Sequence, residues 1–192
     1  MAIHSDFPGV KAEIIVGGQA LKEYEDPNDT SHANTVTKYI EAVSGAYFYA
    51  QVYIDPDVLP KDISVRMALD GKWFVLSHFR VSSERQEVKL HRVWKKIEKS
   101  WLVSEICFSE LSVTKDDSAG RNFEAERLGT IQIDIAHASN VSRRRLKRPT
   151  ERSIKEAEKY EDITDISEET LKGHIHSHCT RFLGYCPPMS DN

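Results

Sequence analysis

Three histidines stand at alternate positions towards the C-terminal end of the chain, in Gly173-His174-Ile175-His176-Ser177-His178-Cys179. On an extended strand they share one face, with successive Cα atoms about 6.6 Å apart. Neighbours at that spacing can hold one metal ion between them. A His-x-His pair on a jelly-roll strand binds Fe, Mn or Zn in this way in cupin-like folds, with a carboxylate and a further histidine drawn from other strands. His78, His91 and His137 are available as that further ligand. The candidate ligands are therefore His174, His176 and His178, and the candidate cofactor is a divalent metal ion. The competing reading is a solvated strand with no cofactor at all.

A second cluster suits phosphate or a receptor rather than a metal. Arg143-Arg144-Arg145-Leu146-Lys147-Arg148 is a compact basic run of the kind read by nuclear import receptors. The same residues, Arg143, Arg144, Arg145, Lys147 and Arg148, can grip phosphates of a nucleic acid. No interleaved aromatic residues and no known nucleic-acid module accompany them. The acidic residues from Glu151 to Glu169 can equally neutralise the run as a solvated loop. The net charge of −4 argues against attraction of the whole domain to nucleic acid or anionic lipid, so any such binding must be local. Lys89, Arg92, Lys95, Lys96 and Lys99 read as a solvated strand face and turn.

Nucleophilic catalysis finds no motif. The chain has no Gly-x-Ser-x-Gly elbow, no phosphate-binding glycine loop and no Gly-x-Gly-x-x-Gly fingerprint. Cys107, between Ile106 and Phe108, reads as a small buried apolar residue. Cys107, Cys179 and Cys186 are odd in number and irregularly spaced, which fits reduced thiols of an intracellular protein. No catalytic residue is singled out.

A third constellation suits a partner. From Ala46 to Ile54 one face reads Ala46, Phe48, Ala50, Val52, Ile54, and the other reads Tyr47, Tyr49, Gln51, Tyr53. The first face is core. The Tyr47/Tyr49/Tyr53 row is either a rim of that core or an amphipathic stripe, since tyrosine offers large contact area at low entropy cost.

The elements that must position these residues are mostly short strands. Val10, Ala12, Ile14 and Val16 alternate with polar residues, and Gly17-Gly18 permits a tight turn. Thr35–Val43 and Ala46–Ile54, separated by Ser44-Gly45, predict a hairpin. Ile63, Val65, Met67 and Leu69 run to Asp70-Gly71, a dipeptide favoured in type I′ turns, and Lys72 to Leu76 predicts the return strand. Further strands are predicted over Glu87–Lys95, Ser100–Phe108, Thr130–Ile135 and His174–Phe182. Ser167 is a candidate N-cap for one helical turn ended by Gly173. The pattern is mainly β, an antiparallel β-sandwich of jelly-roll type with a short helical, charged C-terminal excursion. The expected organisation is a body over 1–138, a basic-then-acidic linker or exposed helix over 139–168, a returning strand within 169–186, and a tail over 187–192.

Several stretches together resemble an uncharacterised fungal family of β-rich domains, found in ascomycetes and basidiomycetes. They are Phe7-Pro8-Gly9-Val10-Lys11-Ala12-Glu13-Ile14, Gly18-Gln19-Ala20-Leu21-Lys22-Glu23-Tyr24, Lys38-Tyr39-Ile40-Glu41-Ala42, Phe108-Ser109-Glu110-Leu111, Leu128-Gly129-Thr130-Ile131-Gln132-Ile133, and Leu171-Lys172-Gly173 to Ser177-His178. The resemblance implies a fungal intracellular β-rich domain and supplies no mechanism.

At 40% hydrophobic and 29% charged residues the composition is ordinary for a globular chain. The N-terminus shows no basic and apolar signal pattern, and no stretch is apolar enough to cross a bilayer as a helix. The leading expectation is a non-enzymatic domain of the cytoplasm or nucleus that binds protein partners. The alternatives are a metal-binding jelly-roll protein or enzyme, and a nuclear, nucleic-acid-associated protein acting through the basic run.

Overall fold

The structure is a computed structural model that describes residues 2–4, 7–25, 34–58, 62–80, 86–97, 100–115, 125–137, 165–167 and 178–183. In chain order the strands are β1 (Ala2–His4), β2 (Phe7–Val16), β3 (Gln19–Ala20), β4 (Glu23–Glu25), β5 (Lys38–Ile40), β6 (Tyr47–Ile54), β7 (Asp62–Leu69) and β8 (Lys72–Arg80). They continue with β9 (Glu87–Leu90), β10 (Val93–Ile97), β11 (Ser100–Glu110), β12 (Ser112–Thr114), β13 (Ile131–His137), β14 (Asp165–Ser167) and β15 (His178–Leu183). The helical content of the described residues is one 3-10 turn, Ala125–Arg127.

The main sheet has eight strands in the order β1-β2-β6-β11-β10, with β3 also on β2, β9 on β6 and β15 on β11. A second sheet has the order β13-β7-β8. Among the described strands all pairings are antiparallel except β12 with β14.

Register explains the core. Val10, Ala12, Ile14 and Val16 lie opposite Ile54, Val52, Ala50 and Phe48. Val88 and Leu90 lie opposite Val52 and Ala50. Opposed residues share a face, so these side chains form one apolar surface. In the second sheet Ile131, Ile133 and Ile135 lie opposite Leu69, Met67 and Val65. One buried cluster draws on both surfaces: Phe48, Ala50, Val52 and Ile54 with Ile63, Val65, Met67 and Leu69, together with Ile14, Val88, Leu90, Ile106 and Phe108. Fully burying each large aliphatic or aromatic member contributes about 1.5–3 kcal/mol. The alternation over Ala46–Ile54 thus divides inner from outer residues as its sequence predicts.

Two turns test the reading of glycine dipeptides. Asp70 and Gly71 both have positive φ, 50° and 77°. That is the type I′ geometry whose twist matches a hairpin, and β7 pairs with β8 across it. At Ser44-Gly45 the outcome differs. Gly45 has φ 79° while Ser44 does not enter the positive region, and Ala46 N donates to Val43 O at 3.0 Å. Positive φ at the second central residue alone is a type II requirement, and such turns splay the flanking strands. The predicted hairpin of Thr35–Val43 with Ala46–Ile54 is accordingly corrected. β5 pairs with β4, while β6 is flanked by β2 on one side and by β9 and β11 on the other.

Gly71 is also a close approach. A Cβ there would lie 2.8 Å from Arg127 Cδ and 2.9 Å from its Cβ. Gly45 has the same sign of φ but open space around it. Gly71→Ala is expected to cost about 2–3 kcal/mol, from left-handed strain plus overpacking, and Gly45→Ala only about 1 kcal/mol. Parallel urea titrations of the two variants check the difference.

In the C-terminal part the described residues are strands, and no helix is seen among them. Residues 165–167, inside the excursion read as linker or helix, form β14, parallel to Ser112–Thr114. Ser167 belongs to this strand, and the helical turn it is a candidate to cap, up to Gly173, lies outside the described residues. The returning strand is present as β15, antiparallel to β11. The rest of 138–177 lies outside the described residues.

Candidate functional site

The outer face of the main sheet is set by the same registers as the core. Lys11, Tyr53 and Glu87 form one cross-strand row, and Glu13, Gln51 and Lys89 form the next. Ile15 lies opposite Tyr49, and Tyr47 opposite Cys107. Tyrosines at 47, 49 and 53 therefore run along the middle strand of a face whose flanks carry both signs of charge.

Burial is graded along this row. Tyr47 is 49% exposed, whereas Tyr49 and Tyr53 are half-buried. The Tyr53 hydroxyl donates to Gln86 Oε1 at 2.9 Å. Lys11 Nζ lies 5.6 Å from the Tyr53 ring centroid, and Lys89 Nζ lies 5.6 Å from that of Tyr49. These ammonium groups sit within cation–π range and lean towards Glu13 and Glu87, at 3.8 Å and 3.3 Å respectively. Flanking the stripe on β2 and β11, Ile15 and Cys107 are buried although their register puts them on the same face as the tyrosines.

At one end the face dips into an open groove of about 420 Å³. The Gly17-Gly18 turn, Tyr47, Tyr49, Lys89, His91 and Glu105 line it. Both glycines have positive φ, and space above them is open. Chemically the groove offers two phenolic rings, an ammonium, a carboxylate and an imidazole, a set suited to binding polar groups carried on a flat apolar body.

The other predicted residues fall as follows. His178, on β15, has Nε2 3.1 Å from Ser44 Oγ. His174 and His176 lie outside the described residues, as do Arg143, Arg144, Arg145, Lys147 and Arg148. His91 and His137 are exposed, and His91 Nδ1 lies 3.3 Å from Lys89 O. Among the described residues no three of His, Cys, Asp and Glu gather at metal-binding distance. Lys89 and Arg92 are exposed, and Cys107 is fully buried.

A titratable group that no motif pointed to stands at the β7–β8 turn. Asp70 is 4% exposed. Its Oδ1 accepts from Gly129 N at 2.7 Å, and its Oδ2 accepts from Thr180 N at 2.9 Å and from the Thr180 hydroxyl. Burial pushes its carboxyl above the ordinary aspartate value, against the opposing pull of those hydrogen bonds and of Lys72. Asp70-Gly71 announced a turn, and nothing local announced that the aspartate would meet Thr180.

On the second sheet Trp73 is 41% exposed. Arg66 lies over its ring at 4.5 Å and donates to Asp134 at 2.7 Å. This polar ladder is closed on itself.

No curated protein and no solved structure matches the chain. A family model described as a domain of unknown function (DUF7918) matches residues 9–184. That span runs from within β2 through β15, and the chain belongs to this DUF7918 family.

Proposed function

We propose that the chain is a β-sandwich binding module that meets a protein partner with the outer face of its eight-stranded sheet. The sandwich reading is supported by the single core to which the two sheets contribute. The binding reading rests on one observation: Tyr47, Tyr49 and Tyr53 stand on the outer face while Phe48, Ala50, Val52 and Ile54 fill the core. Rigid, amphipathic rings with few torsions lose little entropy on binding, and tyrosine is enriched at binding hot spots. Lysines and glutamates on both flanks supply the polar rim that such patches carry.

Tyr47→Ala tests this cleanly because the side chain is half exposed and its removal should alter stability by no more than about 0.5 kcal/mol. The triple variant Tyr47→Ala/Tyr49→Ala/Tyr53→Ala should remain folded by circular dichroism and lose affinity for a purified partner by about 100-fold. Unchanged affinity in the folded triple variant would remove the tyrosine face from the binding account.

A further inference from the structure

β15 occupies a slot with two walls. β11 forms one, in a register that runs from Glu105 opposite Leu183 to Glu110 opposite His178. Among the described strands β15 pairs with β11 alone. The second wall is the β7–β8 turn. Phe108 directs its backbone towards β6, donating from N to Ala46 O at 3.1 Å and accepting from Gly45 N at 2.8 Å. Its pairing with Thr180 is therefore a non-hydrogen-bonded position of the β11–β15 ladder, and the Thr180 backbone groups point away from β11. Asp70 takes the outward N–H and the hydroxyl of the same residue. Thr180 is 2% exposed.

This geometry discriminates between strands. A residue without a hydroxyl at that position leaves a buried carboxylate short of a donor, a loss that neither solvent nor a neighbour can repair. Two residues before Thr180, at the start of the same strand, His178 Nε2 lies 3.1 Å from Ser44 Oγ. The Asp70 carboxyl faces Thr180, the Gly129 amide and the Lys72 charge, and Arg127 packs against the adjoining Gly71 position.

We infer that the β11 edge and the Asp70 turn form a strand-recognition site that reads a threonine, that β15 fills it in cis, and that it accepts the same strand from a second copy of this chain. The cis and trans occupants make identical contacts, which is why exchange of one element between copies is a low-cost route to a dimer. Residues 168–177, between β14 and β15, can span about 33 Å when extended.

The test uses the full chain and a fluorescent peptide of residues 176–185 carrying C179S, standing in for the second copy's strand. In the wild type the cis strand competes, so uptake is weak. Thr180→Val in the chain weakens the cis occupant and should raise apparent peptide affinity about tenfold or more, while Thr180→Ser, which keeps the hydroxyl, should stay at the wild-type level. A peptide carrying T180V should bind any of these chains about tenfold more weakly. Wild-type protein concentrated after partial denaturation should form a dimer that excess peptide dissolves.

Equal uptake of threonine and valine peptides by the wild-type chain would overturn the recognition site even if T180V chains fail to fold. Peptide uptake with no dimer at any concentration would overturn exchange between copies. A folded T180V chain with no gain in uptake would overturn the competition on which both rest.

Discussion

Asp70→Ala is expected to lower the unfolding free energy by about 2–4 kcal/mol, among the largest losses available outside the apolar core. The side chain accepts from the Gly129 amide, 59 residues away, and from the Thr180 amide and hydroxyl, 110 residues away. Alanine removes the acceptor of all three donors, and the two on Thr180 are buried. Asp70→Asn keeps the shape but replaces one accepting oxygen by an NH₂ group, which then faces either Gly129 N–H or the Thr180 donors. Its expected cost is about 1–3 kcal/mol. Urea denaturation monitored by tyrosine and tryptophan fluorescence measures both.

The same residue predicts a pH signature. Its native carboxyl holds a proton more tightly than the unfolded one, because burial outweighs the hydrogen bonds that oppose it. Between the ordinary aspartate pKa of about 4 and the raised native value, the native state binds more protons than the unfolded state. The contribution of Asp70 is therefore fully present below the unfolded pKa and is lost as pH rises through the native pKa. Asp70→Asn cannot titrate. The stability difference between wild type and Asp70→Asn should thus be largest in acid and shrink as pH rises through that window. A difference that grows with pH would mean that the hydrogen bonds, not burial, control this carboxyl.

The second large effect lies where β6 meets β11. Phe48 and Phe108 stack with centroids 4.3 Å apart and planes 17° from parallel, and they are 3% and 4% exposed. Phe48→Ala and Phe108→Ala should each cost about 3–5 kcal/mol through lost burial and the cavity left behind. The rings contact each other, so the double variant should cost less than the two losses added, with a coupling of about 0.5–1.5 kcal/mol. Additive losses would show that each ring packs independently. Thermal unfolding of the four proteins in the cycle decides this.

Local pattern carried much of the architecture. The alternation over Phe48, Ala50, Val52 and Ile54 separated core from tyrosine face, and Asp70-Gly71 placed a hairpin where β7 and β8 form one. Ile131, Ile133 and Ile135 announced β13. What failed was pairing. Ser44-Gly45 looked like a hairpin loop, but a dipeptide does not reveal which central residue takes positive φ, and that choice decides whether strands twist together or splay. β14 was hidden because three residues, Asp165–Ser167, carry too little periodicity to read.

The candidate sites were legible to different degrees for the same reason. The tyrosine stripe is a property of one strand and survives as a graded surface on the outer face. Asp70 and Thr180 are a property of two distant strands brought together by β11, so no spacing in the chain relates them. His178 illustrates the difference at close range. Its alternation with His174 and His176, which lie outside the described residues, is local, whereas its contact with Ser44 joins it to a turn far away in sequence.

A site-specific photo-crosslinker placed at position 47, with one placed at position 73 for comparison, tests the binding account most directly. Both positions are similarly exposed, at 49% and 41%, and they stand on different sheets. The account predicts a discrete partner adduct from position 47 that disappears when Tyr49 and Tyr53 are changed to alanine, and none from position 73. An adduct from position 73 with none from position 47 would contradict it.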